Sequence, residues 1–476
     1  MFRRAAVDNV PNDARSATSM RFHLLIPEVR ELLQEGCLED LKSVLQDMHP
    51  TDAASILSAL TVDEIATVLA ALPPDLERDV FGYLEPDVQE LYVAGAGRER
   101  VKNVLQSMLS DDRAEFIDRL DPRVRDQLIP LLPNAAREDL KRRGTFRDDQ
   151  VGAFLSTDFA VLSPLLSARN AIVELRRQAP SKETIYYSYV VDRSGKLIGF
   201  VSLRDLILAN ESTPVGEVMK TDLVSVSAEA DQEEAARIIR DYDLLALPVV
   251  DMAGRLLGIV THDDAVDIVV EEAQEDIEKM AGVTGQSEGE HYIEEPIRRQ
   301  VRRRAPVICM LALFWLVTAT MIHGFEDMLQ GNLIMIATMP MVMAIGGMVG
   351  SQASTLIIRA LATNAKGSDF RSVLMKELVV SIALACVLAG IAFGNALLLL
   401  WIGGHGDGTF KMYKTAGVIG LAMAADVVCA AVLGAAIPSL VKWMRIDPAL
   451  ISTPAVTALT DLTGAGIFLM VVTMLL

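Results

Sequence analysis

The sequence predicts a multidomain membrane protein: an all-α superhelical N-terminal domain (21–148), an internally duplicated α/β domain (149–263), a connecting helix with its linker (264–304) and a five-helix transmembrane domain (305–476). Residues 1–20 are read as a disordered tail. Three observations carry this prediction. Hydrophobic residues make up 51% of the 476 and the mean hydropathy is +0.32, high for a soluble protein, with the apolar excess concentrated from Ala305 onward. A strand and helix pattern occurs twice between Asp149 and Asp264. Ahead of it, short leucine-rich segments alternate with proline-containing stops.

In chain order, MFRRAAVDNVPNDARSATSM is polar and lacks a signal peptide, so the soluble half is expected to stay in the cytoplasm. From Phe22 to Arg143 the motifs LPPD (Leu72 to Asp75), LEPD (Leu84 to Asp87), LDPR (Leu120 to Arg123) and LPNA (Leu132 to Ala135) each stop one helix and start the next. Pro in the first turn, with Asp or Asn beside it, is expected to supply the caps. Helices this short cannot bury their apolar stripes alone, so they should stack into a superhelix.

The first half of the duplication runs TDFAVLSPLLSARNAIVELRRQ, then SYVVDRSGKLIGFVSLRDL; the second runs TDLVSVSAEADQEEAARIIRDYDLLALPVVDMAGRLLGIVTHDDAV. In each, an apolar strand ends in Val-Asp, a Gly-containing turn leads to a second strand, and an Asp (Asp205, Asp264) opens a helix. DDAVDIVVEEAQEDIEKM then reads as an amphipathic helix with Val266, Val269, Val270, Ala273, Ile277 and Met280 on one face. Asp264, Asp267, Glu271 and Glu275 follow one row, with Glu272 and Asp276 alongside. Like charges at this spacing repel by about 0.2–0.5 kcal/mol per pair, a penalty that a bound divalent cation removes and a solvated acidic face tolerates.

RRQVRRR (Arg298 to Arg304) precedes the first apolar span and marks the cytoplasmic side. Five spans follow: 305–324, 332–360, 378–402, 415–441 and 449–476. Basic residues after the second span (Lys366, Arg371, Lys376) and the fourth (Lys442, Arg445) agree with that side and put the C-terminus outside; Lys411 and Lys414 oppose it. The fifth span holds one carboxylate, Asp461. An ionisable group in hydrocarbon costs at least ~2.5 kcal/mol unless it faces protein or water. Asp461 therefore marks an ion or proton pathway, or is satisfied by a neighbouring helix. Thr457, Thr460, Thr463, Gly464 and Gly466 around it offer oxygens and close backbone approach. In the second span, Gly346, Gly347 and Gly350, followed by Ser351 and Gln352, either expose backbone to water and ions or let helices pack. Asp426, in the fourth span, either lines a water cavity or pairs with a neighbour.

The net charge of -19 resides chiefly in the soluble half, which speaks against nucleic acid and for cations as partners. Cys37, Cys309, Cys386 and Cys429 are too scattered for a zinc pattern or a disulfide framework. With no phosphate loop, no nucleophile and base constellation and six scattered histidines, an enzyme is the least favoured class.

On LPVVD, GRLLGIVT and the DD that follows, residues 149–263 resemble a tandem CBS pair. Such pairs bind adenine nucleotides such as ATP or form regulatory dimer interfaces. By that analogy Tyr187, Arg204 and Asp205 are nucleotide contacts; read without it, they are a Tyr and an ion-pair member at a strand end. Nearly the whole chain resembles the MgtE family of magnesium channels, on HPTDAA (His49 to Ala54), SLRDLIL, DQEEAARIIRDYDLLALPVVD, GGMVGSQ and DPALISTPAVTALTDLTG. The resemblance implies a homodimer in the inner membrane, embedded in lipid. Its pore lies between subunits, lined by Gly346, Gly347, Met348, Gly350, Gln352, Thr457 and Thr460, with a hydrated Mg2+ at Asp461. It also implies that intracellular Mg2+ bridges carboxylates and holds the pore closed. The matching residues are Asp231, Glu233 and Asp243 in the second CBS unit, Asp264, Asp267, Glu272, Glu275 and Asp276 on the connecting helix, and Asp447 before the fifth span, with Asp111 and Glu115 from the N-terminal domain. The chain departs from the family at Met348, where Asn is usual, and at Asp426, which would supply the pore with a second acid or support proton coupling. The expected function is a Mg2+-selective import channel. Its alternatives are a less selective Mg2+/Co2+ channel, a cation-coupled carrier and a membrane-anchored CBS nucleotide sensor.

Overall fold

The computed structural model describes residues 25–284, 295–330, 332–363, 370–403, 409–444 and 453–476. The proposed disordered tail, and Asp447 with it, lie outside the described residues. The chain forms two compact units that divide between Val270 and Glu271.

The first unit begins with helices Ile26–Glu35 (α1), Leu38–Gln46 (α2), Pro50–Leu57 (α3), Val62–Ala71 (α4), Pro74–Gly82 (α5), Pro86–Gly95 (α6), Arg98–Ser107 (α7), Ser110–Arg119 (α8), Pro122–Leu128 (α9) and Asn134–Arg143 (α10). Proline at the first position of α3, α5, α6 and α9 presets the helical φ where its missing N–H costs nothing. Of the four punctuation motifs only LDPR carries a side-chain cap, Asp121 accepting from the Arg123 N–H at 2.8 Å. Pro73, Glu85 and Pro133 make no such bond. Asp75 and Asp87 lie two residues past the capping position, inside the first turn, where they favour the positive end of the helix dipole. The short helices stack as expected, each on the next but one: α2 on α4, α3 on α5, α4 on α6 and α5 on α7. Phe81, Tyr92 and Phe116 fill the shared core, the Phe81 and Phe116 rings edge to face at 5.6 Å.

After the short helix Val151–Phe154 (α11) come Phe159–Leu162 (β1), Ala168–Gln178 (α12), Thr184–Val191 (β2), Leu197–Ser202 (β3), Leu203–Leu208 (α13) and Val215–Val218 (α14). The second half repeats them as Val226–Ser227 (β4), Gln232–Asp241 (α15), Ala246–Val250 (β5), Leu256–Thr261 (β6) and His262–Met280 (α16). Each half is a three-stranded mixed sheet, β1 parallel to β2 and β2 antiparallel to β3, then the same for β4, β5 and β6. The halves interlock by crossed pairing. Ser156, ahead of β1, exchanges both backbone bonds with Ile259 of β6 at 2.7 and 2.8 Å, and Lys220, ahead of β4, does the same with Phe200 of β3 at 3.0 and 2.8 Å. Glycine permits the approach: a Cβ on Gly258 would lie 2.6 Å from the Ser156 carbonyl oxygen, and one on Gly199 2.9 Å from that of Lys220.

The helix openings differ from expectation. Ser202 caps α13 by accepting from the Asp205 N–H, and the Asp205 carboxylate accepts from the Ser202 hydroxyl at 2.6 Å; the Asp264 carboxylate likewise accepts from the Thr261 hydroxyl at 2.7 Å. In both, the carboxylate accepts from a hydroxyl three residues earlier in the chain. In α16 the buried residues are Ala265 and Ile268, whereas Val269, Val270 and Ile277 are exposed. The packed face is thus set by where the first turns meet the second half's core.

The second unit contains Ile297–His323 (α17), Glu326–Gln330 (α18), Leu333–Thr363 (α19), Phe370–Ile402 (α20), Thr409–Trp443 (α21) and Thr453–Leu475 (α22). Five of these are long and apolar enough to cross a membrane. They outrun the apolar runs because charged ends continue the helix: α17 starts at Ile297 and contains the arginine cluster. Arg303 binds Glu278, pairs with Glu295 at 3.3 Å and donates to the Thr284 carbonyl at 3.2 Å, fastening the chain ahead of α17. Helices α19, α21 and α22 pack on one another, α20 against α21, and α17 against α22. Half of the apolar window of α19 and 56% of that of α21 is buried, against 6% for α17 and 17% for α20. The polar residues of interest lie on the inner three.

Candidate cation sites

In the first unit, acids from four places in the sequence converge at the start of α8. Buried Ser110 organises them: its N–H donates to Asp158 Oδ2 at 2.8 Å and its hydroxyl accepts from the Thr157 N–H at 2.8 Å. The Glu183 N–H donates to the Asp158 carbonyl at 2.8 Å, which brings the head of β2 to the same place. Asp111 follows Ser110, and Asp263 and Asp264 come from the first turn of α16. Asp111 Oδ1 and Glu183 Oε2 are buried and have no hydrogen-bond partner.

Burial, and then the Asp264 charge, push Asp111 well above the usual carboxylate range. The same two causes raise Glu183 to about 8. Burial and the Asp263 charge raise Asp264 to about 7 against the opposing Thr261 hydrogen bonds. Among the described residues no three or more of His, Cys, Asp and Glu converge on one metal position, so this is not a closed coordination shell. Mg2+ keeps most of its waters and takes one or two carboxylates. Two orphaned oxygens among mutually repelling acids fit such an ion.

Of the residues expected to hold regulatory metal, the structure brings Asp111 and Asp264 together. Glu115 lies exposed at 4.0 Å from Arg119. Asp231 caps α15 by accepting from the Glu233 N–H at 2.9 Å, Glu233 is exposed, and Asp243 is exposed in a left-handed turn with φ 50°. Asp267 is half-buried on α16. Glu272, Glu275 and Asp276 lie in the second unit, where Glu275 pairs with Lys279 at 2.8 Å. Asp158 and Glu183 carry no sequence pattern, Asp263 is known from sequence only as part of the DD after GRLLGIVT, and all three join the cluster through tertiary structure. At the expected nucleotide contacts, Tyr187 lies edge-on to Phe200 at 5.6 Å and Arg204 is exposed. The Ser202 hydrogen bond, more than Lys220 at 3.4 Å, holds Asp205 below the usual carboxylate range.

In the second unit, the glycine segment of α19 faces inward. A Cβ on Gly347 would lie 2.8 Å from Asp461 Oδ1 and 3.0 Å from Thr457 Cγ2, and one on Gly350 would lie 2.7 Å from Thr460 Cγ2. These glycines therefore seat α22 and its carboxylate. Met348 and Gln352, four residues apart on the outer face, are exposed, Met348 at 62%. Thr460 is fully buried and donates its hydroxyl to the carbonyls of Val456 and Thr457, so its contribution is packing. Half-buried Asp461 has no hydrogen bond or ion pair among the described residues. It stands on the wall of a cavity of about 630 Å³ that is also lined by Met280, Ala281, Leu311, Trp315, Thr453 and Thr457.

Residues 339–471 match the MgtE divalent cation transporter family, residues 48–149 the MgtE intracellular N domain, and residues 151–212 and 215–271 the CBS domain. The magnesium transporter MgtE of Thermus thermophilus is 36% identical over 366 residues, 77% of this chain and 78% of the relative. A crystal structure of the soluble part of a magnesium transporter is 30% identical with a TM-score of 0.50, and covers 53% of this chain and 99% of its own. One of the cytosolic domain of the Mg2+ channel MgtE in complex with ATP is 36% identical with a TM-score of 0.48, over 51% of this chain and 100% of its own. The five candidate spans, the duplicated CBS unit and the extent of identity lead to one conclusion: the chain belongs to the MgtE family, a family of transporters and not of enzymes.

Proposed function

We propose that the protein is a Mg2+-selective import channel, closed by intracellular Mg2+ bound among its cytoplasmic acids. The observation that carries this reading is Asp461: an unpartnered carboxylate inside an apolar helix, on a cavity wall and opposite a glycine. Such a group is functional by default, because hydrocarbon penalises it without a ligand. It would hold Mg2+ through the ion's waters. The working channel is a homodimer, with Met348 and Gln352 on the face offered to the second copy, the arginine-rich end of α17 cytoplasmic and the C-terminus outside.

Regulation is supported by the acidic cluster. Mg2+ held through its waters at Asp111 and Glu183 would offset the repulsion they share with Asp264 and join the N-terminal helices to the CBS pair. Further ions would bind at Asp231, Glu233 and Asp243, at Asp267, Glu272, Glu275 and Asp276, and at Asp447. Adenine nucleotide at Tyr187, Arg204 and Asp205 would tune this response. A second reading, a less selective Mg2+/Co2+ channel, is favoured by the exposed thioether of Met348, which binds water more weakly than an amide.

The test is Mg2+ influx into proteoliposomes at low and millimolar cytoplasmic Mg2+, for wild type and Asp461→Ala. Flux suppressed by cytoplasmic Mg2+ and lost in Asp461→Ala is expected. Dependence on a proton or sodium gradient would point instead to a coupled carrier, and absence of flux in a folded protein to a sensor.

A further inference from the structure

Asp426, on α21, is 0% exposed, and neither of its carboxylate oxygens has a hydrogen-bond partner. Two glycines make room for it. A Cβ on Gly346 of α19 would lie 2.1 Å from Oδ2, and one on Gly464 of α22 would lie 2.6 Å from Oδ1. Gly347, the next residue of α19, faces Asp461. The two carboxylates thus sit against adjacent residues of one helix.

Among the described residues, the helices that enclose Asp426 offer no countercharge nearby. Lys414 and Lys442 are about 18 and 24 Å away along α21 at 1.5 Å per residue. Arg359 is a similar distance from Gly346 along α19, and α22 contains no basic residue. A buried anion without a partner is strongly disfavoured. It is neutralised either by a proton or by a bound cation, and two carboxylates balance one divalent cation where Asp461 alone balances half of it.

We infer that Asp426 and Asp461 form a two-carboxylate intramembrane site for a divalent cation, in which Asp426 supplies the second negative charge and Gly346 and Gly464 exist to admit it. The inference rests on the pore reading of Asp461. Asp426→Asn keeps the shape and removes the charge. In proteoliposomes of the full chain its Mg2+ flux is expected to fall at least tenfold, with half-saturation moved to higher Mg2+, while the protein remains monodisperse and its residual flux is still closed by cytoplasmic Mg2+. Asp426→Ser, which demands less space, repeats the test should the Asn variant not fold. Flux and half-saturation within twofold of wild type in either folded variant overturn the inference and leave Asp426 a neutral packing group. Asp461→Asn separates the two readings. Loss of flux there, beside an unchanged Asp426→Asn, refutes the second carboxylate and spares the pore; unchanged flux in both variants refutes both.

Discussion

The acidic cluster of the first unit and the carboxylates of the second pose one electrostatic problem and meet it differently. At the start of α8 several acids crowd together from separate elements, and repulsion is shared among them. In the membrane unit two acids stand alone, and glycines hold the space around them. Crowding produces a site that strengthens or loosens as charge is added or removed, which suits a sensor. Isolation between close-packed helices produces a site whose shape is fixed, which suits a filter.

The largest expected effect lies on the rigid side. Gly346→Ala would place a methyl 2.1 Å from Asp426 Oδ2, and overpacking of this kind costs about 1–3 kcal/mol. Flux should be lost and the melting temperature lowered. Adding Asp426→Ala should restore the melting temperature and leave flux absent, since space returns and the charge does not.

The adaptable side should respond to pH. Asp264 and Glu183 have folded values raised to about 7 and about 8, so the folded cluster binds protons more tightly than the unfolded chain. Their contribution to stability is complete below the ordinary carboxylate range, near pH 4, and is lost as pH rises through about 7 to 8, each group giving up at most ~1.4 kcal/mol per pH unit over that rise. The protection of α8 amides against hydrogen exchange, taken relative to the intrinsic exchange rate at each pH, should fall between pH 5 and pH 8 in the metal-free full chain, and millimolar Mg2+ should restore it. A pH-independent protection factor would break the comparison. Glu183→Gln should flatten the metal-free profile and weaken Mg2+ protection several-fold while leaving transport at low cytoplasmic Mg2+ intact. Smallest of all, Met348→Asn on the exposed face should shift the Mg2+ to Co2+ flux ratio a few-fold, with stability within about 0.5 kcal/mol of wild type.

The elements that could be read from the sequence are those with a local signal. Five apolar runs became five helices, and the repeat ending in Val-Asp became two sheets of identical topology. Helix ends were less legible, because α17 runs through RRQVRRR, whose charges are compatible with a helix outside the bilayer. Asp461 announces itself as a lone carboxylate in an apolar run. The cradle of Asp426 does not, since Gly346 and Gly464 belong to different helices and their common neighbour exists only after packing. Glu183 is similar: an acid ahead of a strand is unremarkable until Ser110 and Asp158 draw β2 toward α8.

The crossed pairing of the CBS halves bears on what either half would do alone. Each half receives one of its strand partners from the other, Ser156 serving β6 and Lys220 serving β3. A single half would display an unsatisfied edge and would recover its missing bonds only by exchanging segments with a second copy. Separating the halves should therefore open the bridges at Ile259 and Phe200 and favour reciprocal exchange between two chains.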